Sequence, residues 1–256
     1  MISFSQIFTI PQEVKTVIKK LQDKGFEAYI VGGCVRDLLR GVKPKDWDIA
    51  TNAKPSEIGK IFLKSFSDNK FGTVTVLTGS EDETLKEIEI TPYRIDEKYS
   101  DKRHPDKIRW ADSIEEDLKR RDFTINAMAL GFSKKDDFVS KLKIIDPFNG
   151  KKDLKNKIIR AVGKPEDRFS EDALRMMRAV RFAVTLEPFK IWKIEEKTAK
   201  AIKKNAHLLN FISKERIRDE LMKIIMSPNG ARGIEILRRM KLLAQIIPEL
   251  EDFKAV

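Results

Sequence analysis

One cysteine and two histidines are all that 256 residues hold of the side chains most used for thiol catalysis and zinc binding. A lone Cys34 excludes an internal disulfide and suits a reducing cytoplasm. A nucleophilic thiol needs an activating partner, and His104 and His207 are the only histidines on offer, so Cys34 reads as a small packed residue. There is no signal-peptide pattern and no apolar run long enough to span a membrane, so no membrane partner is expected. Internal repeats and low-complexity segments are lacking as well.

What the chain has in quantity is charge. Charged residues make up 36%, with 51 Lys and Arg against 40 Asp and Glu, a net charge of +11. That balance favours a polyanionic partner such as nucleic acid, although a lysine-rich solvated surface would give the same sum. The 41% hydrophobic content is enough for a core, in one large domain or two small ones.

The chemistry concentrates in residues 29–51, YIVGGCVRDLLRGVKPKDWDIAT. A short apolar strand runs into Gly32-Gly33, and Arg36-Asp37 follows. Glycines let backbone N–H groups approach a phosphate closely. Farther on stands Asp46-Trp47-Asp48. Residues two apart on a strand share a face, so Asp46 and Asp48 would present paired carboxylates. Hard oxygen ligands without His or Cys suit Mg²⁺ rather than Zn²⁺. Two ions about 4 Å apart could activate an attacking hydroxyl and steady a leaving pyrophosphate. Glu89 in IEITPY is the candidate third carboxylate, with Glu87 and Glu83 as competitors. Alone, the segment allows kinase-like, antibiotic-modifying or polymerase-like transfer.

Periodicity predicts helices over 10–25, 35–40, 55–62, 114–118 and 124–130, and strands over 28–31, 47–50, 72–77, 85–91, 142–145 and 158–162. Residues 96–105, DEKYSDKRHP, read as a polar, mobile loop. After Gly163-Lys164-Pro165 only helices are expected, over 170–186, 191–204, 213–226 and 230–240. The pattern is a mixed α/β half followed by an all-α half, an α+β chain.

Two further clusters bear chemistry. In RRDFTINA, Arg120 and Arg121 offer planar donor forks for phosphate, Asp122 resembles an N-cap, and Asn126 would fall one helical turn beyond it. In RFSEDALR, Ser170 reads as an N-cap with Glu171 and Asp172 in the first turn. Asp172 and Arg175 are i,i+3 neighbours, a salt bridge or an acceptor–donor pair able to read a base edge. A carboxylate would accept from the amino group of cytosine or adenine, while uracil and guanine would face it with a carbonyl oxygen.

Together VGGCVRDLLRG, DWDIAT, RRDFTINAMAL, IIDPFNGKKDL with IRAVG, and RFSEDALRMMRAVRF resemble the bacterial class II tRNA nucleotidyltransferases and poly(A) polymerases, over roughly residues 25–250. The resemblance implies a polymerase-beta-like head over 1–165, with a mixed sheet and flanking helices, a helical neck over 166–226, and the start of a helical body over 227–256. It implies that Asp46 and Asp48 hold the catalytic Mg²⁺ ions, with Glu89 the third carboxylate. Gly32, Gly33 and Arg36 would hold the triphosphate, and Arg121, Asp122 and Asn126 would contribute nucleotide contacts. Glu171, Asp172 and Arg175 would form an amino-acid template that selects CTP and ATP. Arg216, Arg218 and Glu220 match a further basic motif loosely, and no tRNA-anchoring residue is singled out.

The segment TPYRIDEKYSDKRHP is similar to a flexible loop of the members that add the terminal A, and NAMAL resembles the tRNA-repair branch. The resemblance thus implies addition of CCA, or its terminal A, to tRNA. Poly(A) synthesis, a non-catalytic RNA-binding relative and an antibiotic-modifying transferase are the rivals. The chain ends near the start of the expected body, so either it is a fragment or the tRNA is held differently.

Overall fold

The computed structural model describes residues 10–67, 72–97, 107–132 and 142–250. The chain divides into two compact units. The first takes in the chain up to Ile95 with Ile108–Arg121 and Ile125–Lys151. The second takes in Asp96–Lys107, Asp122–Thr124 and everything from Lys152 on.

The first unit is built on a seven-stranded mixed sheet. Its strands are β1 (Ala28–Val31), β2 (Asp48–Thr51), β3 (Ser65–Phe66), β4 (Val74–Leu77), β5 (Glu87–Pro92), β8 (Ala129–Phe132) and β9 (Leu142–Ile145). They lie in the order β3-β4-β5-β2-β1-β8-β9. All the pairings are antiparallel except β2 with β5, which run parallel with Asp48 opposite Glu89. A separate ribbon pairs β6 (Arg94–Glu97) with β7 (Lys107–Trp110). The helices are α1 (Gln12–Asp23), α2 (Gly33–Leu39), α3 (Pro55–Ile61) and α4 (Ile114–Lys119). On α1, Val14, Val17, Ile18 and Leu21 recur at helical spacing and are buried with Ile30, Ile49 and Ile90 of the sheet. Ser113 caps α4 by accepting the N–H of Glu116.

α5 (Gly150–Asn156) leads into the second unit, where β10 (Ile158–Ile159) pairs in parallel with β11 (Lys193–Ile194). The remainder is helical: α6 (Pro165–Glu171), α7 (Arg175–Thr185), α8 (Glu196–Asn205), α9 (Lys214–Ile225), α10 (Gly230–Arg239) and α11 (Leu243–Ile246). α7 is the central helix, with Met176, Met177, Val180 and Phe182 buried. Phe123 meets Phe182 edge to face at 5.8 Å between centroids.

The α+β class is as expected, and four local expectations are corrected, one of them at the helix expected over 191–204, where the strand β11 comes first and α8 starts only at Glu196. Residues 124–130 are not a helix but a 3₁₀ turn, Thr124–Asn126, leading into β8. A short apolar run fits a buried strand or a buried helix equally, and here the backbone of β1 and β9 decides. The helix expected over 170–186 is broken at Asp172, which is extended at φ −140°, ψ 104°. Ser170 is therefore inside α6 rather than an N-cap, and its hydroxyl donates to the carbonyl of Asp167 at 2.8 Å. From residue 98 to 106 the expected polar loop lies outside the described residues, and His104 with it. Among the described residues no helix is long and apolar enough to cross a membrane.

Candidate active site

Trp47 is only 2% exposed and sits in the core of the first unit. Backbone alternation then turns its neighbours Asp46 and Asp48 away from that core. β2 begins at Asp48, so Asp46 lies in the turn before the strand rather than on it. Cys34 closes this turn. Its Sγ donates to the carbonyl of Asp46 at 3.2 Å and accepts the N–H of Asp48 at 3.1 Å. Burial and the nearby aspartates push the thiol well above its ordinary range, so Cys34 is a structural thiol.

Glu89 is the register partner of Asp48, and its N–H donates to the carbonyl of Trp47 at 3.1 Å. Side chains opposite one another in neighbouring strands share a face. Glu87 lies opposite Leu77 instead, and Glu83 pairs with Lys86. Burial pushes the Asp48 carboxyl up to about 7; the guanidinium of Arg121 opposes this rise, while Asp46 and Glu89 add to it. Glu89 is raised too, by partial desolvation and then by Asp46 and Glu87.

Among the described residues none of the three carboxylates enters an ion pair, and no group of three or more His, Cys, Asp or Glu forms a ready-made metal cage. A hard divalent cation needs only one or two protein carboxylates, since water and substrate phosphates complete its shell. The mutual repulsion at Asp46, Asp48 and Glu89 is what such a cation would relieve, so the donor set suits one.

Across from Asp48 stands Gly32, at φ +72°. A Cβ there would lie 2.7 Å from Nη1 of Arg121 and 3.6 Å from Oδ2 of Asp48. Only glycine leaves that guanidinium room. Gly33, the first residue of α2, is less constrained, because its Cβ would sit at an ordinary 3.5 Å from Arg36. Arg36 is held by Asp37 through Nε at 2.9 Å and Nη2 at 2.7 Å, and by the side-chain oxygen of buried Asn126 through Nη1 at 2.8 Å. Asn126 thus meets Arg36 rather than continuing a helix from Asp122.

In the second unit the carboxylate of Asp122 is buried, accepting from Nε and Nη2 of Arg178 at 2.9 and 2.5 Å and from the N–H of Phe123 at 2.7 Å. The N-cap reading of Asp122 is corrected, since no α-helix follows it. At the break after α6, Asp172 accepts the N–H of Leu174 at 3.1 Å and is clasped by Arg216 of α9 at 3.0 and 3.4 Å. Arg175 donates to Glu171 at 2.6 Å and to the carbonyl of Arg168 at 3.2 Å, and Arg168 pairs with Glu171. The template candidates are therefore gathered at one helix break, each held by a neighbour.

Sequence reasoning did not find Arg178 or the clasp of Arg216 on Asp172, because these partners are 56 and 44 residues apart. It also passed over Asp117, although Asp117 precedes Arg120 and Arg121 by three and four residues, a helical spacing that carries the signal.

Comparison with known proteins follows the same lines. Residues 28–160, half of the chain, match the poly A polymerase head domain. The chain belongs to the class II tRNA nucleotidyltransferase and poly(A) polymerase family. A second family, described as a probable RNA and SrmB-binding site of polymerase A, matches residues 192–254. The CCA-adding enzyme of Ligilactobacillus salivarius is 50% identical over 233 residues, covering 88% of this chain and 53% of its own. That of Lactobacillus helveticus is 47% identical over 238 residues, covering 93% and 54%. Among solved structures of the family, the Bacillus stearothermophilus CCA-adding enzyme in complex with CTP aligns with TM-score 0.75 at 39% identity, over 91% of this chain and 53% of that one. The Thermotoga maritima CCA-adding enzyme complexed with tRNA aligns with TM-score 0.77 at 28% identity, over 96% and 55%. The chain spans about half the length of the curated relatives it matches. The family read from the motifs is borne out.

Proposed function

We propose that this chain carries the catalytic part of a template-independent nucleotidyltransferase that adds CCA, or its terminal A, to the 3′ end of tRNA from CTP and ATP. The observation that carries the reading is Asp48, set against Asp46 and Glu89 with Arg121 across Gly32. The CCA-adding relatives support the choice of substrate.

In this reading 1–165 is the head, 166–226 the neck and 227–256 the start of a body. The 3′ oxygen of the tRNA forms a bond to the α-phosphorus, the α–β phosphoanhydride bond breaks, pyrophosphate leaves, and the hydroxyl proton passes to the carboxylate cluster. Two Mg²⁺ ions held by Asp46 and Asp48 would supply activation of the hydroxyl and neutralisation of the developing charge. Arg36 and Arg121 receive the triphosphate beside Gly32 and Gly33, their planar forks matching phosphate oxygens. Asn126 serves by orienting Arg36, and Asp122 by fixing Arg178. Asp172 accepts from the amino group of cytosine or adenine, and Arg175, held by Glu171, donates to the ring. UTP and GTP would leave the carboxylate facing a carbonyl oxygen. The basic chain grips tRNA by its phosphates and shape, in a salt-dependent way. Such a substrate places the reaction in the cytoplasm.

The test uses tRNA transcripts ending before the first C, after C and after CC, each with Mg²⁺ and single nucleotides. Incorporation of C, C and then A is expected. Addition of A alone to any RNA, with CTP ignored, replaces this reading with poly(A) synthesis. RNA binding without incorporation replaces it with a non-catalytic relative.

A further inference from the structure

Among the described residues, Asp117 is the one fully buried acid whose contacts lead straight into the candidate site. Its side chain is 1% exposed, and both oxygens are spent on the adjacent arginines. Oδ1 accepts from Arg120, through Nε at 2.9 Å and Nη2 at 2.7 Å, while Oδ2 accepts from Nη2 of Arg121 at 3.2 Å. Burial works to raise this carboxyl, but Arg120 and Arg121 outweigh it and hold it below the ordinary carboxylate range. The other end of the Arg121 fork, Nη1, occupies the space that Gly32 leaves open, near enough to Asp48 to bear on its charge. Nε of Arg121 is buried and, among the described residues, meets no acceptor.

We propose that Asp117 is a positioning residue for the triphosphate, clamping one end of the Arg121 guanidinium so that the other end is presented over Gly32 beside Asp48. This rests on the nucleotidyl-transfer reading. An arginine side chain has many rotamers, and one that must fit a slot made by a missing Cβ gains from being held beforehand. An ionised carboxylate offers each guanidinium its own acceptor oxygen, with a negative charge and no donor to oppose either. Two cations on one anion also leave positive charge at the place where a phosphate would arrive.

Asp117→Asn probes the clamp. The amide oxygen stays with the two donors of Arg120, so the amide nitrogen faces Arg121, donor against donor, and the fork is released. Affinity for CTP and for inorganic tripolyphosphate is measured on the whole chain with Mg²⁺, alongside the melting temperature. Asp117→Asn is expected to weaken both ligands about tenfold, as the loss of one charged hydrogen bond would. It should raise KM for CTP more than it lowers kcat. In an Arg121→Met background the same substitution should change affinity no further, because its effect runs through Arg121. A purely structural role would lower the melting temperature and multiply with Arg121→Met. Should Asp117→Asn not fold, Arg121→Lys decides, since it keeps the charge but cannot bridge the clamp and the slot; ligand binding equal to the wild type overturns the proposal. Wild-type affinity in Asp117→Asn, or independent effects in the double variant, overturns it alone. A wild-type chain that binds neither ligand overturns the nucleotidyl-transfer reading together with it.

Discussion

In the sheet-bearing unit, Asp46, Asp48 and Glu89 face one another with no ion pair among the described residues, while in the helical unit Glu171 is bracketed by Arg168 and Arg175 and Asp172 is clasped by Arg216. The first arrangement leaves charge unspent, and burial followed by the neighbouring carboxylates raises Asp48 and Glu89. The second spends charge within the protein and leaves shaped acceptors and donors. Unspent charge suits a cation and a reaction. Paired charge suits recognition of a neutral base edge, where a net charge would attract any nucleotide alike.

The largest effect expected from breaking this contrast is at Asp48. Asp48→Ala should cut nucleotide incorporation by about a thousandfold or more, the several kcal/mol that metal-borne charge stabilisation supplies. The melting temperature without divalent cation should stay level or rise, because repulsion with Asp46 and Glu89 is removed; a fall would show that Asp48 stabilises the fold. Next comes Trp47→Ala, which should cost about 3–5 kcal/mol of stability by denaturant titration, as for a buried large side chain. Activity should fall beyond the loss of folded protein, since both flanking aspartates lose their anchor.

In the helical unit, Arg216→Met should erode the preference for CTP over UTP by about 1–3 kcal/mol, the worth of one base-reading pair, with Mg²⁺ dependence unchanged. Competition between labelled CTP and UTP measures it, and altered Mg²⁺ affinity would break the division of labour. The smallest effect is at Gly32. Gly32→Ala should cost about 1–2 kcal/mol of stability from its left-handed backbone, and its crowding of Arg121 should weaken CTP binding. Calorimetry gives both values.

The elements that periodicity carries well were legible: α1, α3, β1, β9, α9 and α10 lie within a few residues of where the apolar spacing puts them. The aspartates and Gly32 were legible because their chemistry is local to a short segment. What stayed hidden depends on partners far along the chain. β8 looked helical because Thr124–Asn126 and the apolar residues after it carry no alternation, being buried on both sides. The break at Asp172 was invisible in SEDALRMM, whose residues all tolerate a helix. It is held open by the N–H of Leu174 and by a guanidinium 44 residues away. Asp122 looked like a cap because its neighbours in sequence suit one, yet its partner Arg178 is on α7.

The one thiol of the chain has a kinetic consequence. Cys34 is buried, and its sulfur spans the backbone between Asp46 and Asp48, so a thiol reagent reaches it only when that turn opens. Alkylation at a single residue therefore clocks the opening of the aspartate turn, with no second cysteine to confuse the count. A ligand that binds only the closed form slows the clock in proportion to its occupancy. The sequence comes with its own stopwatch for the segment on which the proposed chemistry depends.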